Sequence, residues 1–201
     1  MNGAIILAAG KSTRFGEGSK QHFKLNGIPL YEIVFQKVCQ VINRDNCIIV
    51  GIDCAGGATR SLSVFEGLKR LAPDTQRVVI LEAARPLVSV AQIETILNAN
   101  SPSASFVMPT VNTVVFRDGR MIDRNSIYDL LVPQAFSYPL LLQAYQTGRY
   151  TDTTEETQIM LKEYQIPPLF IETGTNLFKL TYKTDIAILK EIATMNQGDV
   201  E

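Results

Sequence analysis

The chain is poor in the side chains on which many enzymes rely. It holds one histidine, His22, so a histidine-built metal cluster is excluded and a mechanism that needs a histidine base has a single candidate. His22 itself reads as a side chain packed beside a loop. The three cysteines, Cys39, Cys47 and Cys54, are odd in number and lack a C-x-x-C spacing. That pattern argues against a disulfide framework and a zinc site, and leaves three buried, reduced thiols as the expectation. Charge of neither sign is in excess: 19 basic residues face 20 acidic ones, for a net charge of -1. No global field draws the chain to nucleic acid or to an anionic membrane, so any positive potential must be local. No apolar run approaches the roughly 20 residues of a membrane span. The N-terminus enters an apolar run without a basic segment and cleavage site, which points to a cytoplasmic protein. Repeats, low-complexity tracts and flexible linkers are also missing, so residues 1–201 read as one domain.

What is present begins at once. The apolar run Ile5-Ile6-Leu7 passes into Ala8-Ala9-Gly10-Lys11-Ser12-Thr13-Arg14, and Ser19-Lys20-Gln21 follows a few residues later. Small Ala8, Ala9 and Gly10 let backbone N–H groups approach an anion, and Arg14 and Lys20 add full positive charges, an arrangement suited to phosphates. Gly10-Lys11-Ser12 also looks like the tail of a Walker A loop. That motif needs a glycine five positions before the Gly-Lys pair, and Ile5 stands there, inside the apolar run. A plain strand-to-helix turn with scattered surface charge is compatible with Gly10 alone, but less so with two cations clustered behind one strand.

Short β-branched runs alternate with longer stretches at helical spacing, the pattern of an α/β fold with a mostly parallel, Rossmann-like sheet flanked by helices. Strands are predicted at 4–8, 47–51, 77–81, 106–109 and 169–172, and helices at 30–41, 60–71, 90–98, 138–147, 155–164 and 184–195. One segment breaks the alternation. Thr113 to Arg117 and Arg120 to Asp123 flank Asp118-Gly119, a dipeptide favoured in tight hairpins, so a β-arm is expected over about residues 112–125. A projecting hairpin has no internal partner for its apolar side chains, and the arm is expected to pack on a second subunit; the alternative is a hairpin folded back on its own sheet.

Taken in order, the motifs resemble those of the cytidylyltransferases that act on 2-C-methyl-D-erythritol 4-phosphate and ribitol 5-phosphate, nucleotide-diphospho-sugar transferase-like proteins. The resemblance spans nearly the whole chain. Leu7 to Phe15 matches the family's L/P-A-A-G-x-G-x-R-M loop, and Ser19 to Phe23 its P-K-Q-Y/F segment. Gly56-Gly57, Arg60, Ser63-Val64 and Gly67-Leu68 reproduce G-G-x-x-R-x-x-S-V-x-x-G-L, the most specific element. Glu82-Ala83-Ala84-Arg85-Pro86, Pro109 to Thr113, Asp123-Arg124, Pro133 to Phe136, Thr154-Glu155-Glu156 and Lys179-Leu180-Thr181 follow in family order.

The resemblance implies transfer of CMP from CTP to a small phosphorylated polyol, with magnesium as cofactor and pyrophosphate released. It places Arg14, Lys20 and Lys179 at the transferred phosphate, and Leu7, Ala8, Ala9, Gly10, Lys11 and Ser12 around the triphosphate. Gly57, Arg60 and Ser63 fall near the base, and Glu82 near ribose and magnesium, as metal ligand. Arg85, Thr113, Arg124 and Thr154 fall on the acceptor side, Arg124 reaching from the arm into a neighbouring subunit's site in a homodimer. Thr153 and Glu156 also fit a helix capping box, a local explanation for that motif as good as substrate contact. Several positions depart from the family pattern: Glu82 replaces aspartate, Asn112 replaces aspartate, Val115 stands where lysine is common, Ser19 replaces proline, and the stretch from Val50 to Gly56 is short. Three readings stay open: an active cytidylyltransferase, whose acceptor is methylerythritol phosphate or a polyol of surface polysaccharide; a related enzyme using another base; and a nucleotide-binding paralogue without turnover.

Overall fold

A computed structural model describes residues 1–10, 12–16, 20–174 and 177–198. Lys11, in the predicted phosphate loop, and Ser19, one of the departures, lie outside the described residues. The central sheet has six strands in the order β4-β1-β5-β7-β6-β8. They are β1 (Asn2–Leu7), β4 (Cys47–Val50), β5 (Arg77–Glu82), β6 (Ser103–Pro109), β7 (Tyr128–Ser137) and β8 (Leu169–Glu172); a small antiparallel pair, β2 (Lys24–Leu25) and β3 (Ile28–Pro29), stands apart. β1 is parallel to β4 and β5, and β6 to β8, while β7 runs antiparallel between β5 and β6.

Alternation along the strands sorts side chains to two faces. Ala4, Ile6, Val79 and Leu81 face a core built with Val34, Phe35 and Val38 of α1 (Leu30–Val38) and Ile93, Ile96 and Leu97 of α3 (Val90–Leu97). Ile5, Val78, Ile80 and Phe136 face the other way, against Val64 and Leu68 of α2 (Arg60–Leu68), Leu141 and Ala144 of α4 (Tyr138–Gln146), and Ile159 and Met160 of α5 (Glu156–Tyr164). Both faces of β1 and β5 are therefore covered, which is why they read as continuous apolar runs. A satellite cluster of Phe15, Leu25, Leu30, Leu180 and Leu189 fastens the first loop to α6 (Asp185–Gly198).

The chain leaves β1 through α1 to β4 on one side, and reaches β5 on the other side through α2. The crevice outside the carboxyl ends of β1 and β5 is thus a topological switch point, the usual ligand position in such sheets.

One expectation needs correction and one element is not legible in the sequence. Pro133 obscured β7, since proline cannot donate to a ladder and demotes a run. In the structure the register steps from Ser105 opposite Gln134 to Phe106 opposite Leu131, so Val132 and Pro133 fall in an irregularity that demands no N–H from proline. The capping box at Thr153 and Glu156 does not form. Glu155 is the N-cap residue of α5, without a side-chain cap, and Glu156 points inward. Finally, the arm is a minimal hairpin: a single bridge joins Val115 to Met121, and Phe116 N–H donates to Arg120 at 2.8 Å. Gly119 takes φ of 90°, the left-handed position that closes a three-residue hairpin loop. Val111, Val115, Phe116 and Met121 are exposed, so the hairpin is not folded back on its own sheet.

Asn46 ties the sheet's amino-terminal edge together: its amide donates to Asn2 O (2.9 Å) and Thr75 Oγ1 (3.0 Å) and accepts from Ala72 N (2.9 Å), and both Asn46 and Thr75 are almost without solvent. Asn46→Ala strands these groups and is expected to lower unfolding stability by about 2–3 kcal/mol in urea titrations, leaving ligand binding at the opposite edge intact.

Candidate active site

At the carboxyl edge Leu7 pairs with Val50 on one side and Glu82 on the other, and Ala8 N–H donates to Val50 O at 2.8 Å. The chain then turns through Ala9 and Gly10 into a cleft of about 420 Å³. Its walls carry Leu7 to Gly10, Ser12 and Arg14 from the first loop, Lys20, Gly57, Arg60 and Ser63 around the start of α2, Glu82 at the end of β5, and Lys179. The structure thus brings together all the described residues expected at the transferred phosphate and nucleotide.

Two close approaches build this cleft. A side chain at Gly56 would place its Cβ 2.3 Å from Ala9 Cβ, and one at Gly57 would lie 2.4 Å from Leu62 Cβ. Glycine alone lets the turn before α2 pack under the first loop. Ser63 holds that turn: its hydroxyl donates to Thr59 O (2.9 Å) and accepts from Gly57 N (3.1 Å). Thr59 caps α2, accepting from Leu62 N at 3.1 Å. Ser12 draws the second cation in, because its hydroxyl accepts the backbone N–H of Lys20 at 3.1 Å.

Charge concentrates on Glu82. Lys179 Nζ lies 2.9 Å from Oε1 and 2.7 Å from Oε2, Arg85 Nε 3.4 Å from Oε2, and Arg60 Nε 3.8 Å from Oε1. Burial pushes this carboxyl up, but Lys179, then Arg85 and Arg60, outweigh it and hold it below the ordinary range, hence ionised. Lys179 reaches Glu82 because Leu180 N–H donates to Ala84 O at 2.9 Å, clamping the segment against the end of β5. Arg85 sits behind Glu82 and donates to Leu177 O, outside the cleft lining.

Arg60 is held by residues that the motif reading did not assign to it. Its Nη1 donates to both oxygens of Glu156 at 2.9 Å, and Glu156 has no solvent exposure. Burial opposes the guanidinium's charge, but Glu156, Glu155 and Glu82 more than restore it. Tyr145 donates its hydroxyl to Glu156 at 3.0 Å, and Gln134 donates to Glu155 at 2.9 Å. Tyr145 carried no motif, so nothing in the sequence marked it. Of the acceptor-side candidates, Thr113 and Arg124 lie on the exposed arm, where Arg124 donates to Val111 O at 3.3 Å. Thr154 is exposed just before α5; none of the three lines this chain's cleft. His22 stacks edgewise on Tyr31 at 5.6 Å, away from the cleft lining, and Cys39, Cys47 and Cys54 are free thiols, of which only Cys47 is buried.

Among the described residues no group of three or more histidine, cysteine, aspartate or glutamate side chains could hold a metal. Among the described residues that line the cleft, Glu82 alone offers an ionised carboxylate. One carboxylate completed by nucleotide phosphates is a donor set that magnesium accepts.

Lys20 carries the pH dependence of this cleft. Burial, then Lys179, with Arg14 and Arg85 against the opposing Glu82, lowers its pKa from 10.5. A lowered lysine pKa means that the charge is lost earlier on the alkaline side than an ordinary lysine loses it. Tripolyphosphate affinity, measured by calorimetry between about pH 7 and 10, is expected to fall before an ordinary lysine titrates, and Lys20→Arg to flatten that limb. An unaltered limb in Lys20→Arg would dissociate Lys20 from anion binding.

Known proteins resemble the chain over nearly its whole length. Curated relatives include 2-C-methyl-D-erythritol 4-phosphate cytidylyltransferases of Thermotoga neapolitana, 32% identical over 96% of this chain and 97% of the relative, and of Chromobacterium violaceum, 30% identical over 94% and 96%. Among solved structures, 4-diphosphocytidyl-2C-methyl-D-erythritol synthase of Anaerococcus prevotii superposes with a TM-score of 0.81 at 21% identity, covering 96% of each chain. The 2-C-methyl-D-erythritol 4-phosphate cytidylyltransferase of Thermus thermophilus superposes at 0.77 and 22% identity, covering 96% of this chain and 100% of that one, so the two share the fold. Residues 3–195 match the model of one family, and the chain belongs to that family, the 2-C-methyl-D-erythritol 4-phosphate cytidylyltransferases (IspD).

Proposed function

We propose that the chain transfers CMP from CTP to 2-C-methyl-D-erythritol 4-phosphate. An oxygen of the acceptor phosphate attacks the α-phosphorus of CTP, the bond from that phosphorus to the bridging oxygen of the β-phosphate breaks, and pyrophosphate leaves. The observation that carries this reading is the convergence of Arg14, Lys20 and Lys179 on the loop at the end of β1, beside an ionised Glu82. Such a transfer needs positioning and charge compensation more than proton abstraction, because the nucleophile is already an anion. A single histidine outside the cleft is consistent with that chemistry.

In this reading the backbone from Ala8 to Ser12 holds the β- and γ-phosphates, and Arg14 and Lys20 brace the α-phosphate. Lys179 leaves Glu82 for the transferred phosphate when nucleotide enters. Gly57 and Ser63 frame a pocket small enough to favour a pyrimidine, with Ser63 acting by shaping the turn. Glu82 would hold magnesium together with the nucleotide phosphates, and the ion, when bound, offsets charge on the triphosphate. Arg85 orients Glu82 from behind. Thr113, Thr154 and Arg124 belong to the acceptor side, with Arg124 serving the site of a second copy. The exposed apolar side chains of the arm support that homodimer, since Val115, Phe116 and Met121 find no cover within one chain. No described helix is long and apolar enough to cross a membrane; a cytoplasmic location belongs to the same proposal.

Pyrophosphate release with each nucleoside triphosphate and a panel of phosphorylated polyols tests the assignment. Activity is expected with CTP and methylerythritol phosphate; preference for ribitol 5-phosphate would move the acceptor, and turnover with UTP or GTP but not CTP would reject the base. Lys20→Ala is expected to lower turnover by about 100-fold or more while leaving the urea midpoint nearly unchanged. For the arm, the pair Phe116→Asp and Met121→Asp is expected to shift the sedimentation coefficient from dimer to monomer and to depress turnover with it. A monomer of full activity would separate the arm from the site.

A further inference from the structure

Arg60 stands in the first turn of α2 with three carboxylates near it, yet it hydrogen bonds to only one. Nη1 meets both oxygens of Glu156 at 2.9 Å, whereas Nε stays 3.8 Å from Glu82 Oε1 and Nη2 3.9 Å from Glu155 Oε2. Nε and Nη2 are buried and make no hydrogen bond in the structure. Glu156 is in turn held from two helices: Tyr145 of α4 gives it a hydroxyl at 3.0 Å, and that hydroxyl lies 3.0 Å from Ser61 of α2. A fully buried carboxylate that caps nothing, yet is held this firmly, has its function in what it restrains.

We propose that Glu156 is a positioning residue that keeps Arg60 off Glu82, and so leaves the Glu82 carboxylate open to the divalent cation that travels with the nucleotide. The inference rests on the nucleotidyl-transfer reading and on Glu82 as the cation's ligand. Without the Glu156 charge, Arg60 is a buried guanidinium with no counter-charge in contact, and the nearest carboxylates are Glu82 and Glu155. Glu155 is already engaged by Gln134. Closing the 3.8 Å gap to Glu82 would give Arg60 the separation it now has with Glu156. Arg85 and Lys179 also pair with Glu82, but Arg85 stands behind the carboxylate and outside the cleft lining, so Lys179 is the cation that shares the cleft with Arg60, and those two differ. Lys179 is one-third exposed and ends in a mobile ammonium that can turn to a phosphate. Arg60 is a planar, more deeply set donor, and a buried guanidinium–carboxylate pair is hard to displace for a cation that dehydrates reluctantly.

The test titrates full-length protein into Mn2+·CTP and follows loss of the free complex's EPR spectrum. Glu156→Gln, which preserves shape and the acceptor for Tyr145, is expected to weaken uptake by about tenfold. In an Arg60→Met background Glu156→Gln is expected to cost no further uptake, so that the double variant matches Arg60→Met alone, because the competing cation is gone. A purely structural role for Glu156 would lower the melting temperature and would cost uptake in the Arg60→Met background too. Uptake by Glu156→Gln equal to wild type, or a double variant weaker than Arg60→Met alone by the same factor, overturns the proposal. Should Glu156→Gln fail to fold by circular dichroism, Tyr145→Phe removes one restraint while keeping both charges. It is expected to weaken uptake less but in the same direction, and no change there also overturns the idea. Glu82→Gln separates the two levels: if it leaves Mn2+·CTP uptake unchanged, Glu82 is not the ligand and the underlying reading fails.

Discussion

The buried carboxylate of Glu82 at the end of β5 is the point on which the site depends. Its register opposite Leu7 places it beside the turn that leaves β1, and three cations from three separate segments converge on it. Removing one ion from water costs several kcal/mol, so a carboxylate in this position is retained only with partners in place. Each partner therefore reports on the segment that carries it. Lys179 requires the clamp between Leu180 and Ala84, Arg85 the turn after β5, and Arg60 the entry to α2. The fold organises the charge, and the charge in turn fastens the loops around the crevice.

The second constraint is distance. Phosphates can be held by backbone N–H groups only where the backbone itself comes close, and here the turn before α2 lies directly beneath the first loop. Gly56 against Ala9 and Gly57 against Leu62 leave no room for a Cβ. Ser63 then locks the turn by donating and accepting at once. A serine in this position shapes the pocket wall as well as lining it, which is why its hydroxyl and the paired glycines form one unit rather than separate contacts.

These features differ in how far they can be read from residues alone. The buried parallel strands are legible because both faces are covered, so Ile5-Ile6-Leu7 and Val78-Val79-Ile80-Leu81 are unbroken apolar runs bounded by turns. The phosphate loop is legible because small residues and cations follow such a run. β7 is not, since its proline sits in a register irregularity that only the pairing with β6 reveals. Glu156 was visible as part of a motif but pointed to the wrong role. A threonine three residues earlier is a sound local signal for a cap, and the buried pairing with Arg60, 96 residues away in sequence, outweighs it. Tyr145 and Gln134 complete that network from other elements, and no local pattern encodes a contact between three helices and a central strand.

The cleft and the arm also divide the chemistry by rigidity. Residues expected at the nucleotide gather around the ends of β1 and β5 and the start of α2, where Glu82, Arg60 and Ser63 are fixed by burial and by named ion pairs or hydrogen bonds. Thr113 and Arg124 stand on a hairpin held by one bridge and exposed along its length. A hairpin of that kind gains a defined shape when its apolar side chains are covered, and in a homodimer the covering surface is the second copy. Acceptor recognition would then be set where two chains meet, while charge compensation is set within one. The departures from the family pattern follow the same division. Asn112 and Val115 fall on the arm, where a change alters an exposed surface. Glu82 falls in the rigid network, where one added methylene must be absorbed by Lys179, Arg85 and Arg60 together.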